Sequence, residues 1–170
     1  DDADGLGALS YQWSRSGSPI DGATASTYTL VQADVGTAII LTVSYTDGEG
    51  TAESVTSSAT EAVVNVNDLP TLDVLENLNI NENDPEYVVS LRGITAGDGE
   101  IQPLRITASS SNKNLIPNPN IIFDGQNSTA ILCFTPIIDS HGTTTITVIV
   151  EDSGTENDLN TPNDNGTFEQ

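Results

Sequence analysis

Alternating apolar and polar residues, rich in valine, isoleucine and threonine, commit this chain to β-structure. Ile39-Ile40-Leu41-Thr42-Val43-Ser44-Tyr45 places Ile39, Leu41, Val43 and Tyr45 on one face, and residues 143–150 alternate strictly, with Ile146, Val148 and Val150 inward. β-branched side chains suit a pleated surface and lose freedom in a helix. The same pattern, in shorter runs, predicts strands over residues 9–14 (Leu9, Tyr11 and Trp13 on one face), 27–30, 54–66, 72–80, 87–94, 104–109, 121–123 and 130–135. Gly-, Asn- and Asp-rich turns separate these runs and helix signals are almost absent, so the fold class is all-β, built from antiparallel sandwiches.

One joint divides the pattern. Asn65-Val66-Asn67-Asp68-Leu69-Pro70 closes one run and opens the next, and Pro70 fixes its own φ and disfavours helix at Leu69. The expected organisation is two tandem β-sandwiches, residues 1–66 and 67–170, both incomplete at the chain ends. Two strands are expected ahead of Asp1, the closing strand is truncated beyond Thr167-Phe168, and the chain reads as an excerpt of something longer.

Charge narrows the function. The 170 residues hold 25 Asp and Glu against 4 Lys and Arg, a formal net charge of -21. Nothing is left to neutralise phosphates or an anionic membrane surface, which argues against nucleic-acid and membrane partners. The 36% apolar share sits in alternating runs, so a folded, cation-seeking protein is expected rather than a disordered one. Cys133 is the single cysteine and a small strand residue, so no internal disulfide staples the fold. Metal is the other available staple. No apolar run is long enough to span a bilayer.

Specific motifs carry a resemblance. Leu9-Ser10-Tyr11-Gln12-Trp13, Tyr28-Thr29-Leu30, Ala33-Asp34-Val35-Gly36 and Val43-Ser44-Tyr45-Thr46-Asp47-Gly48 are similar to the Ig-like repeats of very large bacterial surface and RTX-type adhesins, with Trp13 at the core-tryptophan place. The antibody-type disulfide has no cysteines to form it. Asn79-Ile80-Asn81-Glu82-Asn83, Asn67-Asp68-Leu69-Pro70 and Val148-Ile149-Val150-Glu151-Asp152 resemble cadherin-like domains of bacterial surface proteins. The modules also echo each other. Asp34-Val35-Gly36-Thr37 precedes a strand ending at Asp47-Gly48, and Asp139-Ser140-His141-Gly142-Thr143 precedes one ending at Asp152-Ser153-Gly154, as in a repeat array.

In such a strand order, loops from distant sequence meet at one end. Asp2 and Asp4 are expected beside Asp47 and Glu49, and Asp98 and Glu100 beside Asp152 and Asp158. Clustered carboxylates repel unless a cation intervenes, and Ca2+ takes oxygen ligands in irregular loop geometry. Asn67 and Asp68, with Asp34, are expected to complete a shared site at the joint, while Glu82 and Asp139 lie at the opposite end.

Other chemistries find less support. Asp2-Ala3-Asp4-Gly5 opens like an EF-hand, but its closing Glu would fall at Tyr11. His141 has no second histidine or cysteine ligand partner for zinc. No nucleophile–histidine–acid set assembles, so no enzyme is expected, although so many acids leave a glycosidase-like pair open. Asn127-Ser128-Thr129 and Asn165-Gly166-Thr167 fit the glycosylation pattern. The expected role is a calcium-stiffened spacer in a secreted or cell-surface bacterial repeat protein. Its partners would be neighbouring repeats, other cell-surface proteins or glycans. The alternative is a carbohydrate-binding accessory module of an extracellular polysaccharide-degrading enzyme, for which Tyr28 and Tyr87 are the candidate platform rings.

Overall fold

The structure, a computed structural model, describes residues 5–125, 127–161 and 164–170. It is all-β, with every sheet antiparallel, and it divides into two compact units between Asn65 and Val66. Among the described residues no helix is long and apolar enough to cross a membrane.

The first unit is a single four-stranded sheet ordered β2-β1-β3-β4, with β1 at Ser10–Arg15, β2 at Ser18–Pro19, β3 at Ile39–Thr46 and β4 at Ala52–Thr56. Ser16 and Gly17 link β1 to β2 with φ of 46° and 82°, the positive pair that a two-residue type I′ hairpin turn needs. Pro19 is tolerated because β2 is an edge. In register, Trp13 faces Leu41 and Tyr11 faces Val43. Ile39 is the one buried apolar residue described in this unit.

Two expected strands take other forms. Residues 27–30 are irregular: the Tyr28 ring stacks on Trp13 at 5.8 Å and turns its hydroxyl to Asp34. The long run over 54–66 becomes β4 and then irregular chain. There, hydroxyls take over the acceptor side of the ladder: Ser57 Oγ accepts Leu41 N–H at 3.1 Å and Thr60 Oγ1 accepts Ile39 N–H at 3.0 Å, while the N–H groups of Ser57 and Thr60 still donate to Leu41 O and Ile39 O. Serine and threonine offer the backbone this local substitute, which stops a strand that propensity alone would continue.

The second unit is a sandwich. One sheet is β5-β8-β7 (Tyr87–Leu91, Ala130–Phe134, Asn120–Ile122) and the other β10-β9-β6 (Thr167–Glu169, Ile146–Asp152, Leu104–Ser110). Leu91, Leu132 and Phe134 from the first sheet pack against Ile106, Val148 and Val150 from the second. Leu91, Val148 and Val150 are wholly buried, so the strict alternation of β9 does point those residues inward.

The edge strand expected over 72–80 is not formed. Leu72 is buried but Val74 is 80% exposed, so the two-residue period breaks at once. The segment is instead pinned at points, through Thr71 N–H to Thr95 O, Asp73 N–H to Arg92 O, and Leu75 N–H to Gln170 Oε1.

Candidate metal centre

At the end of the second unit where β9 finishes and β6 begins, polar side chains are drawn inward. Asp152 is fully buried. Its Oδ1 accepts from Asn67 Nδ2 at 3.1 Å, Gly154 N–H at 2.9 Å and Gly166 N–H at 2.8 Å. These three bonds tie the entry of the unit (Asn67) to the loop after β9. Asn67 extends the network, donating to Asp164 O at 3.0 Å and accepting Gln102 Nε2 at 2.8 Å. Gln102 also donates to Glu100 Oε2 at 2.6 Å, and that oxygen accepts Asp68 N–H at 3.3 Å.

Among the described residues, five buried side-chain atoms have no hydrogen-bond partner: Gln102 Oε1, Asp152 Oδ2, the Ser153 hydroxyl, Asp164 Oδ1 and Asn165 Oδ1. All five are oxygens, and all come from this end of the sandwich. An unpaired buried acceptor costs about 1–3 kcal/mol, more when charged. The loop is shaped around them by absent side chains: a Cβ at Gly166 would lie 2.5 Å from Asp152 Oδ2 and 3.0 Å from Pro70 Cδ. Gly154, at φ +61°, is likewise approached by Asp164 Oδ1.

Arg105, a basic residue at this end, is already engaged. Arg105 grips Glu151 Oε2 through Nε at 2.9 Å and Nη2 at 2.6 Å, and Glu151 Oε1 accepts from Asn165 Nδ2 at 3.1 Å. Asp164 Oδ2 accepts from both the hydroxyl and the N–H of Thr155, and these bonds hold its carboxyl below the usual carboxylate range. Bound water or a cation would satisfy the orphan oxygens, and the surplus negative charge favours the cation. An all-oxygen set mixing carboxylate, carboxamide and hydroxyl suits a hard divalent ion of calcium type.

The acids alone do not form the expected centre. Among the described residues no group of three His, Cys, Asp or Glu converges in metal-holding geometry. Asn67, Glu100 and Asp152 share one network, and Asp68 enters it only through its backbone, its side chain being exposed. Asp98 is exposed. Asp158 is taken up by its own turn, accepting Asn160 N–H and Nδ2 at 3.0 and 2.9 Å, which lowers its pKa. Glu82 and Asp139 lie exposed beyond the other end of β9. There Asp139 N–H bonds Asn83 Oδ1 at 3.0 Å.

In the first unit, Asp34 is spent as a structural anchor. It accepts from Arg15 Nε at 2.7 Å, Tyr28 Oη at 3.0 Å and Val31 N–H at 2.8 Å. Burial pushes its pKa up, but the Val31 N–H, Arg15 and Tyr28 together hold it below the usual range. Asp34 and Asp139, equivalent in the sequence echo, are therefore unlike in place. Asp47 Oδ1 closes its own loop by accepting Glu49 N–H at 2.9 Å and Thr51 N–H at 2.8 Å, with Glu49 exposed beside it. Asp2 and Asp4 lie outside the described residues.

Gln102, Ser153, Asp164 and Asn165 were not among the residues expected from sequence. Their available signal was the spacing of glycines 154 and 166 around acids, in a loop that composition alone marks only as polar. The candidate platform rings are both stacked, Tyr28 on Trp13 and Tyr87 on Phe134 at 5.6 Å. Comparison with protein-family models, curated proteins and solved structures returns no match.

Proposed function

We propose that the second unit is a calcium-binding β-sandwich acting as a structural spacer in a secreted or cell-surface repeat protein. The carrying observation is the fully buried Asp152 carboxylate with one oxygen triply bonded and the other without a partner, amid four more unpartnered buried oxygens. A calcium ion there draws residues 67–70, 152–154 and 164–166 onto one centre and removes the cost of the orphan acceptors. Without it, like charges loosen the loop and the segment that leads into the unit. The role is mechanical: the ion sets how firmly the Asn67-Asp68-Leu69-Pro70 entry is held. The resemblance of that entry and of Val148-Ile149-Val150-Glu151-Asp152 to cadherin-like domains of bacterial surface proteins supports the same reading, and the first unit's motifs support an adhesin-type setting.

Calorimetric titration with calcium tests the site, and small-angle scattering with calcium and with chelator tests the spacer role. Saturable binding that Asp164→Asn weakens, with a stiffer chain in calcium, is expected. Heat-silent titration, or equal flexibility in both conditions, contradicts the proposal.

A further inference from the structure

The loop after β9 holds the chain's one Asn-Gly pair, Asn165-Gly166, and its chemistry needs no bound cation. An asparagine before glycine is open to attack by its own backbone, because glycine has no side chain to crowd the incoming nitrogen. Here the fold leaves no room for anything larger. A Cβ at Gly166 would lie 2.5 Å from Asp152 Oδ2 and 3.0 Å from Pro70 Cδ. The packing that closes this end of the sandwich therefore keeps a reactive dipeptide in the chain.

The closed loop restrains the pair by placing its reacting groups on different carboxylates. Gly166 N–H, whose nitrogen would attack, donates to Asp152 Oδ1 at 2.8 Å, and Gly166 O accepts Asp152 N–H at 3.1 Å. The Asn165 amide nitrogen, which would leave, donates to Glu151 Oε1 at 3.1 Å, and Arg105 fixes Glu151 through its other oxygen. Asn165 Oδ1, where negative charge would gather during the attack, is buried without a partner among the described residues. An oxyanion forms readily only where donors are already aimed at it. This oxygen instead shares its end of the sandwich with the partnerless oxygens of Asp152 and Asp164.

We propose that Asn165 is a self-modification site that records opening of this loop. Once the loop opens, Gly166 N attacks Asn165 Cγ. The new bond replaces Cγ–Nδ2, and the Gly166 amide proton departs with Nδ2 as ammonia. Water then opens the cyclic imide. Cleavage at Cγ gives aspartate, cleavage at the main-chain carbonyl carbon gives isoaspartate, and nothing is oxidised or reduced. Either product adds one negative charge to a chain already at -21 and sets a carboxylate against Glu151 where an amide donor stood. Isoaspartate also lengthens the main chain by one carbon just ahead of β10, so Gly166 no longer meets Asp152 with both its N–H and its carbonyl. The change runs one way: a loop that has stayed open long enough does not close as before.

The test incubates the whole chain at neutral pH across a series of urea concentrations below global unfolding, beside the fully unfolded chain and an end-capped peptide of residues 164–168. Peptide mapping by mass spectrometry reads the one-dalton gain at Asn165, isoaspartyl methyltransferase counts the isoaspartate, and hydrogen exchange reads the Gly166 amide. The peptide and the unfolded chain are expected to convert at similar rates, and the native chain about tenfold more slowly or less. Across the urea series, conversion should rise in step with Gly166 exchange, because both require the same opening. No variant is involved, so misfolding of a mutant cannot mimic the result. The proposal is overturned if the native chain converts as fast as the peptide, if conversion stays flat while Gly166 exchange rises, or if the unfolded chain leaves Asn165 intact.

Discussion

Replacing Asp152 by asparagine separates a buried cation site from a buried hydrogen-bond hub. The carboxylate receives three N–H groups on Oδ1, from Asn67, Gly154 and Gly166. Hydrogen bonds to charged groups contribute about 1.5–3 kcal/mol and neutral ones about 0.5–1.5, so turning three from charged to neutral costs about 3 kcal/mol. In Asp152→Asn the new amide group takes the place of the partnerless Oδ2 and can donate to an orphan oxygen at this end of the sandwich. That bond returns about 1 kcal/mol, leaving a deficit of about 2 kcal/mol without calcium. With calcium at 100 times its Kd the native chain gains about 2.7 kcal/mol, and the variant, having lost a charged ligand, gains almost none. The gap between the two should therefore widen from about 2 to nearly 5 kcal/mol. Urea unfolding followed by far-UV circular dichroism, with amide exchange at Val148 and Val150 to isolate the second unit, reads both values. A gap that stays constant up to about 10 mM calcium, above the roughly 10⁻⁴–10⁻³ M range of extracellular calcium modules, would refute the cation site and leave Asp152 as a hydrogen-bond hub.

Further expectations concern packing and protonation. Gly166→Ala places a methyl 2.5 Å from Asp152 Oδ2 and 3.0 Å from Pro70 Cδ, which should cost about 1–3 kcal/mol in thermal melts and weaken calcium binding in the same sample. Val148→Ala empties a wholly buried position and should cost about 2–3 kcal/mol from two lost carbons and the cavity left behind, whereas Val74→Ala, at 80% exposed, should be near neutral. Acid should unfold the first unit through Asp34. Its lowered folded pKa means the stability it contributes is present above the unfolded value of about 4 and is lost as pH falls through the folded one. Trp13, the only tryptophan, reports that transition by fluorescence, and Asp34→Asn should flatten its dependence on pH in this range.

Period and propensity made the strands legible where packing on one face enforced them. In β9, Val148 and Val150 are wholly buried, and every second residue reads correctly from the letters alone. The same letters misled at 72–80. There Leu72, Val74 and Leu78 imitate a strand, but the run bonds its neighbour only at isolated points, Thr71 to Thr95 and Asp73 to Arg92, and Val74 and Leu78 face solvent. The run over 54–66 failed for a different reason. Ser57 and Thr60 still donate their N–H groups to β3 but accept from it with hydroxyls, so the regular two-way ladder ends with β4.

The acids show the deeper limit. An Asp in a turn-rich chain has two physical uses, closing its own loop or facing a ligand, and composition cannot separate them. Asp47 and Asp158 bond N–H groups two to four residues ahead and are consumed locally. Asp34 is consumed by the Arg15 guanidinium and the Tyr28 phenol, which come from separate parts of the first unit. Asp152 differs because its partners come from residue 67 and from residues 154 and 166, and because they occupy only one of its oxygens. What distinguishes a ligand from a turn former is thus the supply of donors around it. That supply is set by which loops the sandwich brings together and by where glycine leaves room. Four Lys and Arg against 25 Asp and Glu leave cationic partners in short supply. The fold decides that the shortage falls where Asn67 enters the second unit and β9 leaves it, the place where a bound ion would do most to control how firmly that entry is held.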